Sequence, residues 1–332
     1  MPELVLPTGL TSAPVTAADL PEIAGLLAAA EDVDGTGEHP GADDLAEAWL
    51  NDLVDLPRDS RLVRAGGEVV GVATVIAPPT FRSAFSVHLQ GRVHPGRRGR
   101  GIGRALLAWQ LERGAQVHAE RHPEAPARLS ASLTTTVTDA EALVRRAGLT
   151  TQREFSTMHR PLTDLPAPRS VDGVALVPFD RARDSEVRHA HNRAFADHWG
   201  SSVRDEASWA TMFTGAASFR PDLSVLAIDD DAVVGYVLAH VRESDTRATG
   251  RREAHYGQIG VLPEQRGRGL SKALIGAALR AAVAGGCQLA GLDVDRENTS
   301  GALGLYEHLG FVVVRTRASW VRELPPVGTP AG

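Results

Sequence analysis

One cysteine, Cys287, is all that the chain contains. That excludes an internal disulfide framework and a cysteine-rich metal site, and it makes a reducing cytoplasm the simplest compartment. No apolar run reaches the ~18 residues needed to cross a bilayer, so no membrane span is expected. The N-terminus lacks a basic stretch followed by an apolar one, so it does not read as a secretory signal. An excess of basic charge is missing too: 35 Lys and Arg against 41 Asp and Glu leave a net charge of −6. Binders of nucleic acid or membrane surfaces favour a basic face, so neither partner is expected. What is present is 332 residues with 43% hydrophobic content, room for two domains with ordinary cores.

Two stretches align without a gap. One is Val93-His94-Pro95-Gly96-Arg97-Arg98-Gly99-Arg100-Gly101-Ile102-Gly103-Arg104-Ala105-Leu106-Leu107; the other is Val261-Leu262-Pro263-Glu264-Gln265-Arg266-Gly267-Arg268-Gly269-Leu270-Ser271-Lys272-Ala273-Leu274-Ile275. Each sets an Arg/Gly-rich turn between a strand-like run and an Ala/Leu-rich helix. The shared form is Arg-x-x-Gly-x-(Gly or small), filled by Arg98, Gly101 and Gly103, and again by Arg266, Gly269 and Ser271. Glycine permits positive φ and close backbone approach. The helix start adds free N–H groups and a positive dipole end, a site for phosphate or pyrophosphate. Arg100, Arg104, Arg268 and Lys272 are near enough to supply charge-assisted contacts. Neither turn ends in Gly-Lys-Ser/Thr or carries Gly-x-Gly-x-x-Gly, which argues against a nucleotide-hydrolysing loop and a dinucleotide fingerprint. An arginine-rich turn that only caps a helix is the plainer alternative, and two copies in matching context weigh against it.

The pattern around the turns is mixed α/β, and strand order is not legible in it. Residues up to Ala13 read as a loose tail. A capped helix follows Thr16, with Ile23, Leu26 and Leu27 on one face, and a second helix covers 43–53. Segments 61–64 and 69–76 form a hairpin turned at Gly66-Gly67, and 85–93 is a strand. The first turn leads into a helix over 102–113, then a strand over 128–136 and a helix over 139–147 stopped at Gly148. Three prolines between Arg160 and Pro168 mark a linker. The second half repeats the order: strand 174–178, helices 185–196 and 208–213, a hairpin of 223–228 and 232–241, strand 256–261, a helix to Val283, strand 288–294, helix 300–309, and strands 311–314 and 317–321. Domains are expected over 1–160 and 174–332, joined by 161–173.

The second turn, with Asn298 and Leu305-Tyr306-Glu307-His308-Leu309-Gly310-Phe311 downstream, resembles the GNAT superfamily of acyl-CoA-dependent N-acyltransferases. The resemblance is strong for the second half and partial for the first. It implies two tandem GNAT-like domains, each a mixed, mostly antiparallel sheet flanked by helices. It implies that amides of Arg266, Gly267, Arg268, Gly269, Leu270, Ser271 and Lys272 hold the CoA pyrophosphate, and that Ile259-Gly260-Val261 pairs with the pantetheine arm as an added strand. In the first half the corresponding positions are Val93, Arg98, Gly99, Arg100, Gly101, Ile102, Gly103 and Arg104. Acetyl-CoA is the donor the resemblance implies.

Acetyl transfer to an amine needs a neutral nitrogen, donors for the oxyanion and a proton for the departing thiolate. The resemblance assigns that proton to Tyr306; packing beside Leu305 and Phe311 is the alternative. Asn298 either caps the helix or contacts CoA. Aligning Gly148-Leu149 with Gly310-Phe311 sets Val144 against Tyr306 and Thr136 against Asn298, so the first half is expected to be catalytically degenerate. Glu253, His255 and Tyr256 are candidates for the base, with a half-exposed strand histidine as the plain reading of His255. Asp293 and Asp295 either orient the acceptor ammonium or form a turn. Asp197, His198 and Trp199, in His191-Asn192-Arg193-Ala194-Phe195-Ala196-Asp197-His198-Trp199-Gly200, are candidates to shape the acceptor site, against a helix end anchored in the core. His189 and His191 are two apart and point to different helix faces, so no metal is expected.

The expectation is therefore a cytoplasmic N-acetyltransferase that moves acetyl from acetyl-CoA to a primary amine in its C-terminal domain. A CoA-responsive sensor without turnover is the alternative. The acceptor is a small-molecule or peptide amine, and both a monomeric pseudo-dimer and a homodimer fit.

Overall fold

The computed structural model describes residues 2–196, 198, 201–297 and 301–328. The chain forms two compact units, Met1–Glu154 with Arg317–Gly332, and Phe155–Thr316. In chain order the first half carries β1 (Leu10–Ala13), α1 (Leu20–Asp34), α2 (Ala42–Trp49), α3 (Leu56–Asp59), β2 (Ser60–Ala65), β3 (Glu68–Ile76), β4 (Phe85–Val93), α4 (Ile102–Arg121), β5 (Ala127–Thr134), α5 (Thr138–Arg146) and β6 (Thr150–Pro161). The second half carries β7 (Val174–Pro178), α6 (Asp184–Ala194), α7 (Glu206–Trp209), β8 (Val225–Asp229), β9 (Ala232–His240), α8 (Glu243–Thr249), β10 (Glu253–Val261), α9 (Leu270–Ala284), β11 (Leu289–Asp295), α10 (Ala302–His308) and β12 (Val312–Leu324).

The strand order is β1-β2-β3-β4-β5-β12 in the first unit and β7-β8-β9-β10-β11-β6 in the second. In each, the fourth and fifth strands run parallel and the other neighbours antiparallel. Each unit is thus a mixed, mostly antiparallel sheet flanked by helices, as expected. The sixth strand of each comes from the opposite half of the sequence. Met158 of β6 is buried in the second core, and Ala318 and Trp320 of β12 in the first.

Several local expectations are corrected. Residues Leu10–Ala13 pair with β2 rather than trailing as a tail. The helix after the first turn runs to Arg121. Strand β6 was not anticipated, and it reaches Pro161, inside the proline-rich stretch. Residues 311–321 carry one long strand where two were expected.

The two central hairpins turn by different residues in one conformation. Gly66 and Gly67 have φ of 58° and 93°, and Asp230 and Asp231 have φ of 46° and 61°. Two successive positive φ values match the twist of the flanking strands. In the second unit, a Cβ on Gly235 would meet Leu274 of α9, while the adjacent Tyr236 bonds His191 of α6. Successive strand residues point to opposite faces, so α9 and α6 cover the two sides of that sheet. Among the described residues no helix is long and apolar enough to cross a membrane.

Candidate active site

Both Arg/Gly turns fold alike. A short 3₁₀ turn, Pro95–Arg97 or Pro263–Gln265, leads into two glycines with positive φ: Gly99 and Gly101 at 73° and 87°, Gly267 and Gly269 at 82° and 81°. The first helical bonds are Ala105 N–H to Gly101 O and Ala273 N–H to Gly269 O. Among the described residues, the amides of 99–104 and 267–272 meet no acceptor within the chain. Six consecutive free donors at a helix start form an anion cradle.

The arginine that opens each motif is turned away from the cradle. Arg98 Nη1 and Nη2 bind the two Asp34 oxygens at 2.7 Å each, at the end of α1. Arg266 Nη2 donates to Ala194 O at 3.0 Å, at the end of α6. These side chains fasten the turn to the first helix of their unit and leave the backbone to face a ligand. Arg268, expected to supply charge, reaches Asp229 at 3.1 Å, Gln265, and Asp172 O at 2.7 Å. Arg104 and Lys272, matching residues on the first helical turn, carry no ion pair among the described residues.

Beside each turn the two parallel strands separate. The β10–β11 ladder ends at the pair His255–Gly291, although β10 continues to Val261 and β11 to Asp295. The β4–β5 ladder ends at His88–Ser130, although β4 continues to Val93. Ile259, Gly260 and Val261 pair only with β9, leaving their other side for an extended arm. In the first unit the corresponding opening is a cavity of about 1020 Å³, lined by Leu89 and Val93 of β4, Ile102 and Gly103 of α4, Leu133 of β5 and Val144 of α5. Its size suits a cosubstrate with a long arm.

The second unit carries a polar cluster on the α6 face of its sheet. His240 pairs with His255 across β9 and β10 and shares the parity of Tyr236. Glu253 and His255 point the same way, while Ala254 and Tyr256 are buried in the core. That location removes Tyr256 from the candidate bases; burial pushes its hydroxyl pKa up. His255 Nδ1 lies 3.2 Å from Glu253 Oε1, and its Nε2 3.6 Å from Asp293 Oδ2. The structure thus brings together Glu253, His255 and Asp293. It adds four residues that sequence reasoning missed, His240 among them. His159 Nε2 is 3.3 Å from Glu253 Oε2, Thr157 Oγ1 donates to Asp293 Oδ1 at 2.6 Å, and Ser218 Oγ lies 3.1 Å from His240 Nδ1. His159 and Thr157 stand on β6, whose pairing with β11 no local pattern announces.

Tyr306 lies on α10, 9% exposed, with its ring edge-on to Phe311 at 6.1 Å. Burial pushes its hydroxyl up to about 12, so it holds its proton at neutral pH. His198 packs its ring on Phe195 at 4.5 Å, and Phe195 stacks on His191 at 4.6 Å. Asp197, Trp199 and Asn298 lie outside the described residues.

Free-amide turns beside splayed parallel strands set an anion cradle next to an open strand edge in each unit. A model described as the acetyltransferase (GNAT) family matches residues 26–128 and 185–311, and the chain belongs to that family. Mycothiol acetyltransferases are among its relatives. That of Thermobispora bispora is 37% identical over 226 residues, covering 66% of this chain and 70% of that one. That of Frankia casuarinae is 31% identical over 357 aligned positions, covering 95% and 97%. A solved GCN5-related N-acetyltransferase from Sphaerobacter thermophilus superposes with a TM-score of 0.78 at 26% identity, covering 97% and 98%. A tandem GNAT protein from the clavulanic acid biosynthesis pathway shares the fold, with a TM-score of 0.70 at 21% identity over 97% and 100%. The chain is an N-acetyltransferase.

Proposed function

We propose that the second unit transfers acetyl from acetyl-CoA to the primary amine of a small molecule, of the kind that the mycothiol acetyltransferases serve. The observation that carries this reading is the position of His255, at the point where β10 loses β11 and its free edge begins. The thioester, when bound, supplies an activated acetyl carbon. Amides of 267–272 hold the pyrophosphate, while that of Arg266 is taken up by Pro263 O, and the backbone near Ile259–Val261 polarises the thioester carbonyl. Asp293 draws the acceptor ammonium beside His255. With Nδ1–H directed at Glu253, His255 Nε2 takes the amine proton. The amine nitrogen then bonds to the acetyl carbon, the carbon–sulfur bond breaks, Tyr306 gives its proton to the thiolate, and the second proton, shed by the new amide nitrogen, returns through solvent to the Tyr306 oxygen. Holding both substrates on one strand edge provides much of the rate.

In the first unit the cavity wall carries Val144 where the second unit has Tyr306. That favours a pocket which binds acyl-CoA without turning it over. Calorimetric titration with acetyl-CoA tests both units: two sites per chain are expected, and His255→Ala and Tyr306→Phe are each expected to lower turnover while leaving both sites filled. No binding at millimolar ligand refutes the donor, and unchanged turnover refutes the assigned role.

A further inference from the structure

Asp293 stands two residues past Gly291, where β11 has left β10, and on the face that carries His255. A carboxylate in such an opening turns about its last bond unless something holds it. The hold comes from β6, the strand that the first half of the sequence lends to the second unit. Thr157 is the registered partner of Asp293 and is only 8% exposed. Its Oγ1 donates to Asp293 Oδ1 at 2.6 Å, the length of a hydrogen bond to an ionised carboxylate. Threonine is branched at Cβ and stiff at χ1, so the strand fixes the direction of that hydroxyl. With Oδ1 tied to β6, Oδ2 is the oxygen on the His255 side, 3.6 Å from Nε2.

We propose that Thr157 is a positioning residue, which ties one oxygen of Asp293 and so aims the other at the place where positive charge stands during transfer. This rests on the reading of His255 as the base and deepens it. The charge is first on the acceptor ammonium and, once the amine proton has moved, on the His255 ring. An opposite charge within about 6 Å favours the charged form, so Oδ2 serves both stages as long as it does not swing away. Glu253 meets the same ring at its other nitrogen, Nδ1. The remaining titratable and charged groups around the pair are His240 on β9, His159 on β6, Arg251 ahead of β10 and Arg315 on β12. A threonine hydroxyl carries no charge, so its removal acts on His255 only through the carboxylate that it holds. A cross-strand pair of this kind also steadies the sheet, and the test must therefore read His255 itself.

The test uses the full chain without ligand, and ring nitrogen-15 NMR follows the titration of His255. Thr157→Val keeps a β-branched residue suited to a strand and removes the donor. Thr157→Ala is a second apolar variant, and Thr157→Ser keeps the hydroxyl. Wild type and Thr157→Ser are expected to share one His255 midpoint. In the apolar variants that midpoint is expected to fall by roughly half a pH unit, about a threefold change in the ionisation constant. The apolar substitutions made on Asp293→Asn are expected to shift nothing further, because the pair acts as one unit. A midpoint unchanged in the apolar variants overturns the proposal, and so does an equal fall in Thr157→Ser or a fall that persists on Asp293→Asn. Failure of the base reading appears elsewhere, as full turnover in His255→Ala, so the two failures are told apart.

Discussion

Gly291 leaves the space that the Glu253 carboxylate fills: a Cβ built on Gly291 overlaps Glu253 Oε1 and comes within 3.3 Å of His255 Nδ1. The register explains why. His255 pairs with Gly291, and Gly291 with His159, so three strands bring three positions into one row. Glycine in the middle of that row lets the outer side chains meet across it. Gly291→Ala is expected to push the carboxylate off His255 and to lower acetyl transfer by about tenfold or more, ~1.4 kcal/mol of barrier. Acetyl-CoA binding, proposed to use the free amides of 267–272, is expected to survive. Steady-state kinetics paired with calorimetry separate the two effects, and unaltered turnover would remove Glu253 from the reaction.

Arg98 and Asp34 tie the first turn to α1 by a two-pronged ion pair, with side chains 23% and 6% exposed. Arg98→Ala strands a nearly buried carboxylate, and removing one partner of such a pair costs about 3 kcal/mol. Urea unfolding is expected to register that loss. Removing Asp34 as well is expected to recover part of it, because the stranded charge goes too. The same single variant is expected to weaken acetyl-CoA binding in the first unit, since the six free amides lose their anchor. An unchanged midpoint in urea would mean that water replaces the guanidinium at no cost.

Acid is expected to destabilise the protein through His240. Burial pushes its imidazole down to about 4, helped by His255, Arg242 and Arg220. The unfolded value lies near 6.5. Between those values the unfolded chain binds a proton that the folded one refuses, so stability rises with pH. The contribution is fully present above about pH 6.5 and is lost progressively until pH falls to about 4. Its size is on the order of 3 kcal/mol. His159 is displaced in the same direction and adds to the slope. Unfolding measured from pH 7 to pH 4 should show a steeper loss in wild type than in His240→Asn. Parallel curves would mean that the histidine is already solvated.

The parts that were legible in the sequence are those whose cause is local. Gly99, Gly101, Gly267 and Gly269 marked the turns because positive φ is a property of a single residue, and the helices after them followed from Leu and Ala spacing. The hairpins at Gly66-Gly67 and Asp230-Asp231 were visible for the same reason. Glu253, His255 and Asp293 could be picked out singly, but their meeting depends on the register of three strands. His159 stayed hidden because its partner strand lies far along the chain and because the prolines after Arg160 pointed to a linker. The side-chain roles of Arg98 and Arg266 were equally out of reach, since an arginine beside a phosphate-binding turn reads as a ligand until the end of a helix is found within its grasp.

Strand exchange carries its own prediction. The proline-rich stretch suggests a cut near residue 161, yet a fragment of residues 162–332 loses β6 and with it Met158, which is fully buried in the second core. It also keeps residues 317–324 of β12, whose partner β5 it lacks, leaving Ala318 and Trp320 without the core that buries them. An unpaired β11 and a stranded apolar segment are an edge open to aggregation. Each fragment made alone is therefore expected to be molten or insoluble, and co-expression of 1–161 with 162–332 is expected to restore cooperative unfolding and acetyl-CoA binding. Independent two-state folding of 162–332 would show that the second unit is complete without its borrowed strand.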